Sequence, residues 1–332
     1  MHISDILKKK ETFWSCEVMP PEKGKNINEL YSFLDSVINY SPSFVSVTYH
    51  QEELVYKKVN GKIKLKHPLR KKPGTVEICG ALRARYNIET VPHLICGGFN
   101  KYETEGALIG LNFLGISNVL ALRGDPQKKY LDNGKGELEL LVDRKYRKFN
   151  PEKDGHRHAS DLVEQIVNLK KGIYLNMVEK GEPAKFCVGV AGYPEKHHEA
   201  KDIKEDMQNL KIKIDKGACY IITQMFFDND KYRGFVKTAR DIGINVPILP
   251  GIKMLSSKKQ LTLLPKIFQV SIPEDLKKEM EKYGDDTKKA EQIGIEYAVE
   301  QCKDLIKCRV PCLHFYTMNK KAQLEKVLKA VL

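Results

Sequence analysis

Short apolar runs alternate with amphipathic stretches from one end of the chain to the other. The runs at 13–19, 44–49, 91–96, 119–122, 186–193, 220–227, 246–252 and 312–317 read as strands, being short and bounded by polar segments. Between them lie helical patterns. Over 202–216, Ile203, Met207, Leu210 and Ile214 recur at helical spacing, and Gly217 ends the pattern. Over 161–171, Leu162, Ile166 and Leu169 do the same; Asp161 with Glu164 makes a capping-box-like start and Gly172 follows the end. A further helical segment, 273–307, precedes the last strand.

Eight strands, each followed by a helix, predict an α/β fold: a single-domain (β/α)8 TIM barrel. An open doubly wound sheet is the alternative. No Gly-x-Gly-x-x-Gly or phosphate-loop motif follows a strand, which weighs against a Rossmann-type sheet. Two insertions interrupt the pattern. Residues 54–66 carry Asn60-Gly61 between alternating residues, a β-hairpin signal. Residues 127–158 are polar and rich in Gly and Lys, and a loop of that length is a lid, a binding loop or a disordered segment.

Strand parity sorts side chains into two faces. Trp14, Cys16 and Val18 oppose Ser15 and Glu17. Val45 and Val47 oppose Ser46 and Thr48; Leu120 and Leu122 oppose Ala121, Arg123 and Asp125; Val188 and Val190 oppose Gly189, Ala191 and Tyr193. The apolar face is assigned to the surrounding helices. The other face, small or polar, predicts an interior hollowed towards the strand ends, able to seat a flat ligand at the C-terminal mouth.

Composition narrows the partners. At 332 residues and 42% hydrophobic, the chain supports a real core. No apolar stretch is long enough to span a bilayer, and the N-terminus has no secretory apolar region, so a cytoplasmic location without membrane attachment is expected. Eight cysteines are scattered without a C-x-x-C pair, which reads as reduced, mostly buried thiols rather than disulfides or a zinc site. The net charge of +13 is spread along the chain as lysine. Its densest runs, 8–10 and 70–72, are short and lack interleaved aromatics, so no nucleic-acid partner is expected. An anionic small molecule would suit such a surface.

The fourth run ends in Arg123-Gly124-Asp125-Pro126. Locally this is a turn with an Arg123–Asp125 pair, an adhesion tripeptide, or a strand end delivering side chains to a site; the scattered cysteines and absent leader speak against adhesion. Glu17, directed inward at a strand end, is either ion-paired or a general acid with a raised pKa. Asp125 is a second carboxylate of the same kind, or the partner of Arg123. Gln224 interrupts an apolar run; its amide suits a heterocycle edge or a backbone bond. His93 is a cofactor contact or a structural histidine. Asp206, Asn209 and Lys213 form one helical stripe, either solvated or gripping a ribityl or phosphate chain. Met225, Phe226 and Phe227 read as core. His156 and His158 alone are too few for a metal site, and none is expected.

Nine segments carry a family resemblance: SCEVMPP (15–21), FVSVTYH (44–50), VPHLIC (91–96), LALRGDP (120–126), HASDLV (158–163), GYPEKHHEA (192–200), ITQMFFD (222–228), ILPGI (248–252) and HFYTMN (314–319). In this order they resemble the methylenetetrahydrofolate reductase family, in its bacterial form with a catalytic domain alone. The resemblance implies non-covalent FAD at the barrel mouth and NADH or NADPH as co-substrate. Hydride would pass in a ping-pong scheme to 5,10-methylenetetrahydrofolate, with or without a polyglutamate tail. It implies Glu17 as general acid and Asp125 as the carboxylate beside flavin and folate. FAD contacts would come from Thr48, Tyr49, His93, Arg123, Gly124, Asp125, Ala159, Tyr193, His197, Asp206, Asn209 and Lys213. Folate contacts would come from Gln224 and Gln260, and from Lys320 where relatives are expected to carry Arg; Lys cannot repeat a bidentate carboxylate contact. A homo-oligomer is expected, and no C-terminal regulatory domain responsive to S-adenosylmethionine. The rival readings are another FAD-dependent barrel oxidoreductase acting on an amine or imine, and a basic nucleic-acid-binding protein.

Overall fold

The computed structural model describes residues 1–8, 11–60, 62–134, 137–141, 148–283 and 286–332. Its strands in chain order are β1 (Phe13–Val18), β2 (Val45–Val47), β3 (Glu53–Val59), β4 (Lys62–Leu69), β5 (Thr90–Ile95) and β6 (Asn118–Leu122). There follow β7 (Lys129–Asp132), β8 (Leu138–Leu140), β9 (Cys187–Gly192), β10 (Tyr220–Met225), β11 (Ile248–Ile252) and β12 (Cys312–Tyr316). β1, β2, β5, β6, β9, β10, β11 and β12 close into a parallel barrel whose neighbours follow chain order, β12 pairing back onto β1. This is the expected (β/α)8 architecture. The eight strands match the eight apolar runs to within two residues at each end; most are shorter, while β5 and β6 start one residue earlier than expected.

Three expectations about the elements themselves need correction. The helix expected at 161–171 is Ala159–Lys170, with His158 as its N-cap. Asp161 is not the cap: it sits in the first turn, and its carboxylate accepts the His158 backbone N–H at 3.0 Å. The segment 273–307 is two helices, Glu274–Lys282 and Thr287–Lys307. The insertion 127–158 is not one open loop, because β7 and β8 lie within it and extend the β3–β4 hairpin into a sheet ordered β4-β3-β7-β8. These short polar strands (KYLD and LEL) carry no apolar run; they are strands because β3 offers β7 an edge, in parallel register Leu54↔Lys129 to Lys57↔Asp132. Asn60 holds the left-handed φ of 51° that its hairpin turn requires; Gly61, Lys9 and Lys10 lie outside the described residues.

The barrel is layered. Trp14, Cys16, Val18, Val45, Val47, Val188 and Val190 pack against the helices, as parity predicts. Inside, the lower half is apolar: Phe44, Val91, Leu120, Cys187, Tyr220, Ile222 and Leu249 meet Ile3 and Ile6 of the helix Ile3–Ile6, which closes the floor. Parity misassigned β6, whose Leu120 points inward while Val119 and Ala121 face the helices. A strand buried on both faces is apolar on both, so hydrophobicity alone cannot orient it. Gly124, at φ 84°, then turns the chain out of the strand.

Above the floor the interior becomes polar. His314 bridges the transition: Nδ1 meets Ser15 Oγ at 2.8 Å, Nε2 meets Ser46 Oγ at 3.4 Å, and the ring stacks on Phe44. Gly251 is required on β11, because a Cβ there would strike the Thr223 carbonyl and the Tyr316 ring.

Ile3 is fully buried in the floor and its N–H donates to Asn118 Oδ1 at 2.9 Å. Ile3→Ala should therefore lower unfolding free energy by about 2–4 kcal/mol, read from urea denaturation. An unchanged midpoint would show that the N-terminal helix does not plug the barrel.

Candidate active site at the barrel mouth

Three neighbouring strands bring one row of side chains to the C-terminal mouth. Glu17 pairs in register with Tyr316, and Ile252 with Phe315, so Lys253 lies beside Tyr316 one step beyond β11. Phe315 and Ile252 face the helices, which turns Tyr316 and Lys253 inward with Glu17. Tyr316 Oη donates to the Thr223 carbonyl at 2.7 Å, and Lys253 Nζ donates to the Tyr316 carbonyl at 3.2 Å. The Glu17 side chain is 18% exposed; its Oε2 lies 3.7 Å from His93 Nε2.

Burial sets the charges of this row. It pushes Glu17 up from 4.5 to about 7, with Lys253 pulling the other way. It pushes Lys253 down to about 8, helped by Lys320 and opposed by Glu17. Burial also lowers His93 to about 3 and His314 to about 3, so both imidazoles are neutral at pH 7. His93 Nε2 is buried with no hydrogen-bond partner, so that ring nitrogen is available to a bound group.

A second cluster lines the opposite arc. Arg123 Nη1 pairs with the Glu199 carboxylate, and its guanidinium lies over Phe149. The structure thus places Glu199, rather than Asp125, in the ion pair with Arg123. Asp125 is exposed at the mouth, and its carbonyl accepts from Gln51 Nε2 at 2.6 Å. Tyr193 packs edge-on to His197 at 4.7 Å, and the His197 backbone N–H donates to Asp206 at 3.1 Å. Lys213 donates to the Ala191 carbonyl at 2.7 Å; burial draws its pKa down to about 8, against the pull of Asp206. The stripe on the helix Ile203–Asp215 is therefore two-thirds engaged: Asp206 and Lys213 face β9, while Asn209 is exposed. Desolvation, then the charges of Asp206, Arg123, Asp125 and Glu199, act on the Tyr193 hydroxyl, which ties the arc together.

The remaining expected residues fall around these clusters. Thr48 Oγ1 meets His50 Nε2 at 3.0 Å, and Tyr49 packs on Phe99. Ala159 opens its helix, half-buried. Gln224, half-buried, accepts the Met225 N–H at 2.9 Å through Oε1, the local backbone bond anticipated as the plain reading. Gln260 accepts from the Ser256 N–H at 2.7 Å, and Lys320 Nζ donates to Ser256 Oγ at 2.9 Å, so Ser256 joins the two. Phe226 and Phe227 are buried, as expected of core.

Sequence reasoning missed Lys253, Glu199 and Tyr316. Lys253 had a signal, a lysine directly after the apolar ILPGI. Tyr316 shares parity with His314. Glu199 had none, because its partner lies 76 residues away. Among the described residues no group of His, Cys, Asp and Glu could hold a metal ion, and no helix is long and apolar enough to cross a membrane.

A flat, polyanionic cofactor would fit this mouth: His93 offers a buried nitrogen without a hydrogen-bond partner, and Arg123 and Lys213 offer cations. Gly124, at φ 84°, is fixed by packing, since a Cβ there would sit 3.0 Å from Ile95 Cδ1.

A family model described as methylenetetrahydrofolate reductase matches residues 2–331. Methylenetetrahydrofolate reductase 1 of Schizosaccharomyces pombe is 33% identical over 341 residues, spanning 100% of this chain and 48% of the relative. The 5,10-methylenetetrahydrofolate reductase of Escherichia coli is 30% identical over 306 residues, spanning 92% of this chain and 86% of the relative. Names of further relatives include both NADH and NADPH forms. The chain spans about half the length of most eukaryotic relatives it matches. In fold it is similar to an uncharacterized Clostridium thermocellum protein whose structure binds two copies of 5-methyl-5,6,7,8-tetrahydrofolic acid, with a TM-score of 0.53 at 13% identity over 99% of this chain and 97% of that one.

The raised pKa of Glu17 has a stability consequence. The folded chain keeps a proton that the unfolded chain releases above about pH 4.5, so this stabilisation is full below 4.5 and is lost as pH rises through about 7. Glu17→Gln should gain stability relative to the parent as pH rises from about 5 to about 8, by about 3 kcal/mol at most. Denaturation midpoints across that range test it; a difference independent of pH would contradict the burial of this carboxyl.

Proposed function

Because the chain belongs to the methylenetetrahydrofolate reductase family, we propose that it reduces 5,10-methylenetetrahydrofolate to 5-methyltetrahydrofolate with NADH or NADPH, using non-covalently bound FAD. The observation that carries the reading is Glu17: a carboxyl with a pKa of about 7 at the mouth of a barrel. A group poised near the working pH is what general acid catalysis needs.

FAD, when bound, would supply the hydride relay between nicotinamide and folate. The chain's own residues do the rest. His93 would donate or accept at its unpartnered nitrogen, Gly124 would contact the flavin through its backbone, and Arg123 and Lys213 would offset phosphate charge. Thr48, Tyr49, Ala159, Tyr193, His197, Asp206 and Asn209 complete the cradle. Asp125 would contribute negative charge beside flavin and folate.

Glu17 would protonate the folate nitrogen that leaves when the imidazolidine ring opens, so that the one-carbon unit becomes an iminium able to accept hydride. The Gln224 oxygen is held by Met225 N–H, which leaves its amide NH2 to face the pterin. Gln260 and Lys320, joined through Ser256, would contact the folate; a lysine gives a point charge instead of a two-pronged clamp.

The purified protein should be yellow, with flavin absorbance bleached anaerobically by NADH or NADPH and restored by methylenetetrahydrofolate. A colourless protein that takes up no added FAD would sink the proposal. Glu17→Gln should leave flavin reduction by nicotinamide unchanged and slow folate reduction by about a hundredfold or more. Equal loss in both half-reactions would remove Glu17 from the acid role.

A further inference from the structure

A buried lysine needs a reason. Lys253 is 8% exposed, follows the apolar run of β11, and spends one of its three N–H donors on the Tyr316 carbonyl. Taking an ammonium out of water is costly unless charge or hydrogen bonds compensate. An opposing charge lies two strands away on the same wall. Lys253, Tyr316 and Glu17 occupy one row on three adjacent strands, all turned inward. The middle member leaves the row open. Tyr316 lies across Gly251, whose missing side chain makes the room, and bonds to Thr223 on β10. Lys253 and Glu17 therefore flank Tyr316 on the inner wall, one on each side of it, and the Tyr316 side chain is drawn away towards Thr223.

The other ionisable groups around Glu17 carry little charge. His93 on β5 and His314 on β12 are neutral, Tyr316 is held protonated by burial, and the more distant His50 is lowered to about 4. Tyr193 on the far arc is also held protonated, and Lys320 acts on Lys253 rather than on Glu17. The charge that Glu17 feels comes from Lys253.

We propose that Lys253 is a positioning residue that acts through Glu17: anchored on the Tyr316 carbonyl in the same inward row, its ammonium sets how readily Glu17 gives up its proton. The inference deepens the reading of Glu17 as general acid and rests on it for its catalytic consequence. The electrostatic part stands without it. A cation facing a desolvated carboxyl favours the carboxylate, so Lys253 brings an acid that burial alone would hold too tightly back towards neutral pH. The proton moves from Glu17 to the folate nitrogen; below about pH 8 Lys253 keeps its charge and stabilises the carboxylate that remains.

The test is a titration of Glu17 in the whole chain. Its carboxyl stretch can be followed by infrared difference spectroscopy and assigned by its loss in Glu17→Gln. Lys253→Met should raise the midpoint by about one to two pH units. Lys253→Gln, which keeps a hydrogen bond to Tyr316 without the charge, should do the same, and guards against a Met variant that fails to fold. Lys253→Arg should restore most of the parent value. An unchanged midpoint in the Met and Gln variants overturns the proposal.

Stopped-flow kinetics then reads the catalytic part. In Lys253→Met the alkaline limb of folate reduction should move up by the same interval, while flavin reduction by nicotinamide keeps its pH profile. A slowed reaction with an unmoved limb would make Lys253 merely structural. If the protein binds no flavin, the function falls, and the carboxyl titration still decides whether Lys253 governs Glu17.

Discussion

Desolvation at the mouth of a closed barrel is the constraint on which the site depends. The ring has no free edge, its floor is sealed by Ile3, Ile6 and Phe44, and its wall is backed by helices. Water reaches the interior from the C-terminal end. Ionisable groups set just inside that end lose hydration without losing access, and each is driven towards its neutral form. Glu17, His93 and Lys253 show this. The same burial that would make them liabilities in a core makes them useful at a mouth.

The polar residues are divided by arc. One side, across β12, β1 and β5, holds Tyr316, Glu17 and His93, with Lys253 at the end of β11: groups able to hold or pass a proton. The other side, from β6 to β9 and the helix after it, holds Arg123, Tyr193, Asp206 and Lys213, suited to a long anionic cofactor. Gln224 on β10 lies between the two. The division follows from chain order around the ring, since each strand contributes its own end to one sector.

The lateral sheet of β3, β4, β7 and β8 is a second layer of organisation. It is assembled from the two excursions that leave the barrel after β2 and β6, and Gln51 joins their bases through the Asp125 carbonyl. The turn that carries Asp125 is thereby tied to a segment 74 residues away. A strand ending that looked locally like an Arg–Asp pair is held instead by two remote partners, Glu199 on Arg123 and Gln51 on the backbone.

The sequence by itself determined the barrel: eight apolar runs alternating with helical patterns leave few other folds. It also determined Glu17 as an inward strand-end carboxyl, because β1 is apolar on one face and polar on the other, so parity is readable. Tertiary structure decided what periodicity could not. β6 is apolar on both faces, so its orientation came from packing. β7 and β8 have no pattern of their own and became strands on the edge of β3. The helix stripe was ambiguous between solvent and site until Lys213 met the Ala191 carbonyl. Lys253 was visible as a residue but not as a feature, since a charge acquires meaning from what removes its water and what faces it. Both are properties of the closed ring, where residues 17, 253 and 316 come to share one row.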